Sequence, residues 1–135
     1  MNNNIQDFPL VSIIIPHYGG VDILNECLQS LSKITYPKLE IIVVDNKSPD
    51  FSIDFIKKNY SEIILLESDY NRGFAGGCNY GARYASGKYL IILNNDTIHE
   101  VEWLNHLVNK MEENSNISSI QPKIKNYYNR SKFEY

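Results

Sequence analysis

Apolar residues along the chain fall into two alternating rhythms. The first is the short, largely apolar run. It appears at residues 11–15, stopped by Pro16, at 39–44, ending on Asp45, at 63–66, and at 89–93, ending on Asn94-Asn95-Asp96. Runs this short, bounded by polar or turn residues, predict buried strands. The second rhythm is helical. Val21, Leu24, Leu28 and Leu31 follow the Gly19-Gly20 break, with Cys27 beside them, and Val101, Leu104, Val108 and Met111 line one face of a last helix. Ser48-Pro49-Asp50 offers a capping serine, a proline for the first helical position and an acid for the positive helix end, so residues 51–60 read as a helix. Cys78, Ala82 and Ala85 recur at spacings of four and three after the glycine-rich loop at 73–77, and small residues there let a helix sit close to a sheet. Thr97 and Glu100 have the spacing of a capping box. Residues 117–120 are a candidate fifth strand, and 126–135 have no clear pattern.

Strands and helices therefore alternate. Strands that are apolar on both faces, with helices between them, imply a mainly parallel sheet covered by helices on both sides, the α/β class. No internal repeat or low-complexity linker divides the chain. One domain is expected over residues 9–125, after a frayed segment at 1–8 and before a tail at 126–135.

Composition narrows the functions open to such a fold. The 135 residues carry a formal net charge of -3, against the basic balance of a general nucleic-acid binder, so no nucleic-acid partner is expected. No run approaches the roughly 20 apolar residues of a membrane span, and residues 1–7 lack the basic and apolar regions of a signal peptide. Cys27 and Cys78 have no metal or redox spacing and read as buried thiols. A cytoplasmic location is expected.

In open parallel sheets, ligands bind beyond the carboxyl ends of the strands. Polar segments of an unusual kind lie there: Pro16-His17-Tyr18-Gly19 after the first strand, Asp45-Asn46 after the second and Asn94-Asn95-Asp96 after the fourth. Tyr18 suits stacking on a base or ribose. The Asp45 carboxylate suits the imide N–H of uracil or thymine. Asp96 offers oxygen to a divalent cation, the ligand that magnesium and manganese favour. Each residue also has a plainer use: an Asx turn for Asp45, a helix start for Asp96, packing for Tyr18, and a loop position for His17. The loop Asn71-Arg72-Gly73-Phe74-Ala75-Gly76-Gly77 precedes a helix, whose start attracts anions, yet it matches neither the dinucleotide fingerprint nor a Walker A loop. The acidic cluster of a receiver-like domain is missing after strand one.

Taken together, these segments resemble the family-2 glycosyltransferases. Residues 11–18 look like that family's opening strand, 40–48 like its second strand with the nucleotide-binding aspartate, 71–81 like the glycine-rich segment of the rhamnosyltransferase-like branch, and 93–97 lie where its metal-binding DxD motif falls. The resemblance covers residues 9–125. It implies a Rossmann-like GT-A nucleotide-diphospho-sugar transferase fold, incomplete at the C-terminus. It implies nucleoside contacts from Pro16, Tyr18 and Asp45, nucleotide neighbours in Asn71, Arg72 and Gly73, and a manganese or magnesium ion on Asp96. The implied reaction is transfer from a uridine or deoxythymidine diphosphate sugar to an acceptor hydroxyl with inversion, as in polysaccharide biosynthesis. The acceptor is a saccharide or a lipid-linked one, which allows a peripheral position at the inner membrane face, and a homodimer is left open. Two departures stand out. The DxD position reads Asn94-Asn95-Asp96, with one carboxylate missing. No residue is identified as the general base; His99, Glu100 and Glu102 lie on the predicted helix after Asp96. The chain alone is thus expected to bind donor without transferring sugar, and the alternative is a non-catalytic nucleotide-binding module that needs a partner chain.

Overall fold

The computed structural model describes residues 7–133. The elements run β1 (Val11–His17), α1 (Val21–Leu31), β2 (Leu39–Asp45), α2 (Ser52–Asn59), β3 (Ile64–Glu67), α3 (Gly73–Ala82), β4 (Tyr89–Ile92) and α4 (Trp103–Glu113). The four strands form one sheet in the order β3-β2-β1-β4, and every pairing is parallel. The chain steps outward from β1 to β2 to β3, then returns past β1 to lay down β4. That reversal puts a topological switch point between the carboxyl ends of β1 and β4.

The direction of the crossovers decides which face each helix covers. α1 and α2 follow outward steps and α3 the return, so right-handed connections place α3 opposite the other two. The side chains agree. Val11, Ile13, Ile15 and Val43 meet Leu24, Leu28 and Leu31 of α1, Ile56 of α2 and Leu104 and Val108 of α4. Ile14, Ile42 and Val44 point the other way, toward Tyr80, Ala82 and Ala85. Each large apolar side chain fully buried here contributes about 1.5–3 kcal/mol. β1 is buried at every position, as a central strand covered on both faces must be.

β1 does not stop at Pro16 but runs through it to His17. Backbone groups of alternate residues face alternate neighbours. Val11 N donates to Lys38 O and His17 O accepts from Asn46 N, both on the β2 side, whereas Ile14 O accepts from Leu93 N on the β4 side. Pro16 is in phase with Ile14, so its missing N–H faces β4 beyond the last β1–β4 pair, Ile14 with Ile92. No ladder bond is lost, and proline is tolerated.

Several local expectations need correction. The glycine-rich segment is not a loop ahead of α3 but its first turns. Gly73, at φ 67°, swings the chain into the helix, a conformation glycine adopts without strain. Pro49 lies ahead of α2, which starts at Ser52, and Asp50 rather than Ser48 accepts the Ser52 N–H at 3.1 Å. The Thr97–Glu100 capping box does not form. α4 begins only at Trp103, because the Thr97 hydroxyl bonds Asn94 O at 2.9 Å and Val101 O is taken by Thr35 N. Val101 is exposed as a result. Residues 117–120 form no strand; Ile117 and Ile120, three positions apart, would fall on opposite faces of one, and three of the four positions are exposed. Of the stretch expected to fray, residues 1–6 fall outside the described residues, while Asp7 pairs with Lys38 and Phe8 packs edge-on against Tyr36. Both cysteines are buried thiols, and burial pushes Cys27 up to about 11. No helix among the described residues is long and apolar enough to cross a membrane.

Candidate functional site

The carboxyl ends of β1, β2 and β4 bring the polar segments together. The register sets His17 beside Asp45. Asp45 is fully buried. Its Oδ2 accepts the Ser48 N–H at 3.0 Å, the Asx-type turn expected of a strand-end aspartate. Its Oδ1 is buried with no hydrogen-bond partner among the described residues. Leaving such an oxygen unmatched costs about 1–3 kcal/mol, more when charged. Tyr18, one residue beyond β1, is 55% exposed.

Asn46 ties this edge to α3. Its Oδ1 accepts Arg72 N at 3.4 Å and its Nδ2 donates to Gly73 O at 3.3 Å. Asn71 Oδ1 accepts Gly73 N at 2.8 Å. Pro16 abuts the helix: a β-carbon on Gly77 would sit 3.0 Å from Pro16 Cβ and 3.1 Å from Asn46 Nδ2. The segment that holds Asn71, Arg72 and Gly73 is therefore fixed against Pro16 and Asn46, next to Asp45. The Arg72 guanidinium lies between the Tyr70 and Tyr80 rings, 4.4 and 4.3 Å from their centroids, and donates to Ser68 Oγ and Tyr70 Oη. It pairs with no carboxylate among the described residues.

Asp96 is exposed and makes no hydrogen bond or ion pair among the described residues. It starts no helix. Its neighbour Asn95 is partly buried, and Asn95 Nδ2 lies 2.9 Å from His17 Nδ1. His17 is a strand residue, 1% exposed, not the loop residue expected. Its Nε2 lies 2.8 Å from Ser52 Oγ, which in turn donates to Asp50 Oδ1 at 2.5 Å. Asp50 Oδ2 accepts Gly20 N at 2.8 Å. Burial lowers the His17 pKa, opposed by the nearby charges of Asp45 and Asp50. Sequence reasoning gave Asp50 only a place at a helix start, and assigned no individual site role to Asn46, Ser52 or Asn95. Apart from the local Ser52–Asp50 bond, their partners are 26 to 78 residues away along the chain, so no local spacing could reveal them.

Of the three groups named after Asp96, Glu100 is exposed, while His99 and Glu102 are already engaged. His99 lies 2.8 Å from Ser30 Oγ and 3.2 Å from Thr97 Oγ1 and stacks on Trp103, and burial holds its pKa down at about 4. Glu102 accepts from Thr35 Oγ1 at 2.8 Å and from Asn105 at 2.7 Å. No group of three His, Cys, Asp or Glu side chains among the described residues is arranged to hold a metal ion. A cation at this edge would have one protein carboxylate, with ligand phosphates and water as its other ligands, as magnesium commonly does. The free, exposed carboxylate of Asp96 fits that role.

An open parallel sheet with a polar cluster at its switch point is the arrangement of an α/β protein that binds a ligand at the carboxyl edge of its sheet. The family model described as glycosyl transferase family 2 matches residues 12–134, and the chain belongs to that family of enzymes. It is 37% identical over 110 residues to a poly(ribitol-phosphate) beta-glucosyltransferase of Bacillus spizizenii, covering 77% of this chain and 17% of that protein. It is 34% identical over 107 residues to the UDP-Glc:alpha-D-GlcNAc-diphosphoundecaprenol beta-1,3-glucosyltransferase WfgD of Escherichia coli, covering 78% of this chain and 42% of that protein. Among solved structures, S. aureus TarS 1-349 in complex with UDP superposes with a TM-score of 0.70 at 26% identity, over 77% of this chain and 32% of the other. The mannosyltransferase PcManGT from Pyrobaculum calidifontis, in complex with GDP-Man and Mn2+, gives 0.71 at 25%, over 87% of this chain and 34% of the other. The fold is thus the GT-A fold of these transferases, and the chain spans 17% to 42% of the length of these proteins.

Proposed function

We propose that this chain is the donor-binding part of an inverting glycosyltransferase. It takes a sugar from a uridine or deoxythymidine diphosphate sugar to the hydroxyl of a saccharide or lipid-linked acceptor, with manganese or magnesium. The observation that carries the reading is Asp45 Oδ1, a buried carboxylate oxygen with no partner, at the end of the strand beside the switch point. An imide N–H is the donor that such an oxygen lacks. Exposed Tyr18 supplies an aromatic surface for the base or ribose. Asn71, Arg72 and Gly73 flank the nucleotide, with the Arg72 cation held ready between two tyrosines. Asp96 would hold the cation, which when bound offsets charge building on the departing diphosphate. Support for the donor type comes from the UDP complex of TarS, and for a lipid-linked acceptor from the name of WfgD. A cytoplasmic site, peripheral to the membrane that holds such an acceptor, follows from that reading. With His99 and Glu102 already engaged and Glu100 out in solvent, the base is expected to come from outside these residues. That same observation favours a second reading, a nucleotide-binding module completed by a partner chain.

The test is thermal unfolding of the chain with millimolar UDP, deoxythymidine diphosphate or GDP, with and without manganese. At about 100 times its dissociation constant a ligand adds roughly 2.7 kcal/mol. UDP or deoxythymidine diphosphate should raise the melting temperature, more so with manganese, and GDP should do less. A well-folded sample indifferent to both pyrimidine nucleotides overturns the reading.

A further inference from the structure

We propose that His17 is a positioning residue for the diphosphate side of this site: held as the Nε2–H tautomer, it fixes the Asp96 turn to β1 through Asn95. This rests on the donor-binding reading above. The tautomer follows from counting protons. Ser52 Oγ has one hydrogen, and Asp50 Oδ1, 2.5 Å away, can only accept it. Toward His17 Nε2, 2.8 Å away, Ser52 therefore has only lone pairs, so Nε2 carries the proton. In the neutral ring Nδ1 is then an acceptor, which is what the Asn95 amide nitrogen needs at 2.9 Å. Every link has a donor matched to an acceptor: Asn95 to His17, His17 to Ser52, Ser52 to Asp50, with Gly20 N–H also on Asp50.

This relay crosses the switch point. β4 ends at Ile92, and after Leu93 N has bonded Ile14 O the ladder supplies no further backbone bond to hold residues 94–96 to β1. The His17–Asn95 bond replaces it. Its other end reaches, through Ser52 and Asp50, the Gly19-Gly20 turn that follows Tyr18. One buried ring thus sets the distance between the nucleoside side of the site and its diphosphate side. The charged groups facing the ring are Asp45 from β2 and Asp50 from the approach to α2.

Two amide substitutions separate this role from packing. In His17→Asn the side-chain oxygen takes the place of Nδ1 and can accept from Asn95. In His17→Gln the amide takes the place of Nε2 and can donate to Ser52, leaving Asn95 unmatched. Calorimetry on the full chain would measure uridine, UDP, and UDP with manganese. The expected result for His17→Gln is a loss of about tenfold or more in the manganese-dependent tightening of UDP, the usual scale for removing a group that orients a metal ligand, with uridine affinity nearly unchanged. His17→Asn should keep most of the tightening. Equal losses in both variants, tracking their melting temperatures, would show that His17 only packs. Nitrogen-15 spectra of the imidazole in the unsubstituted chain give an independent reading: an Nδ1–H tautomer or an imidazolium at neutral pH overturns the proposal even if neither variant folds. UDP binding that ignores manganese overturns it too while leaving the donor reading intact. Failure of the unsubstituted chain to bind UDP at all removes both.

Discussion

Gly81 of α3 lies directly on Ile14 of β1: a β-carbon at Gly81 would come within 2.5 Å of Ile14 Cγ2 and 3.0 Å of Val44 Cγ2. This contact sets how closely α3, and with it the Asn71-Arg72-Gly73 segment, approaches the carboxyl edge of the sheet.

Gly81→Ala tests the contact, and two effects compete. Alanine in a helix interior gains about 1 kcal/mol over glycine. Forcing a methyl group into a filled core costs about 1–3 kcal/mol. Ile14 and Val44 are fully buried and have little room to yield, so the second effect should win. Urea unfolding is expected to show net destabilisation of up to about 2 kcal/mol. A stabilised variant would mean that α3 can lift from the sheet at no cost.

Asp45→Asn should weaken UDP binding about tenfold or more, the scale of a hydrogen bond to a charged group. The substitution keeps one oxygen for the Ser48 N–H and replaces the unpartnered one with a donor that opposes an imide N–H. Stability should change little, since the amide exchanges one buried unpartnered group for another of the same size, without the charge. Unchanged affinity in calorimetry together with a large fall in melting temperature would reduce Asp45 to a turn residue.

Asp96→Ala is expected to remove the manganese response of UDP binding while leaving uridine binding intact. Because the side chain is exposed and unpaired, stability should stay within about 0.5 kcal/mol of the parent. If manganese tightens UDP equally in the variant, the ion is held elsewhere.

Acid should weaken the fold well above the carboxylate range. Burial holds His99 at about 4 in the folded chain against an ordinary 6.5, and the His17 pKa moves in the same direction. The unfolded chain therefore takes up more protons than the folded one between pH 6.5 and 4. The contribution of His99 is complete above pH 6.5, is lost as pH falls toward 4, and levels off below that. Denaturation midpoints measured at pH 7, 6 and 5 should decline, and His99→Gln should flatten the decline. A midpoint independent of pH over this range in the parent chain would contradict the buried, neutral state of His99.

The sequence by itself determined the alternating elements, because residues 11–15, 39–44, 63–66 and 89–93 are short runs, apolar except at Ser12 and Glu40, and the helices between them keep their own period. It also marked Asp45 and Asp96, since polar residues ending apolar strands stand out locally. The tertiary structure decided where each element stops. Pro16 stays within β1 only because its nitrogen faces past the end of β4, and α4 starts late because Thr97 and Val101 are bonded to Asn94 and Thr35 instead of a helix. A fifth strand at 117–120 had no neighbour to pair with among the described residues. Nor could spacing show that His17 and Asn95, 78 positions apart, meet across the switch point. A hydrogen bond depends on the distance between two atoms. Here that distance is set by strand order, which is fixed only when the hydrophobic faces of the whole sheet are covered at once.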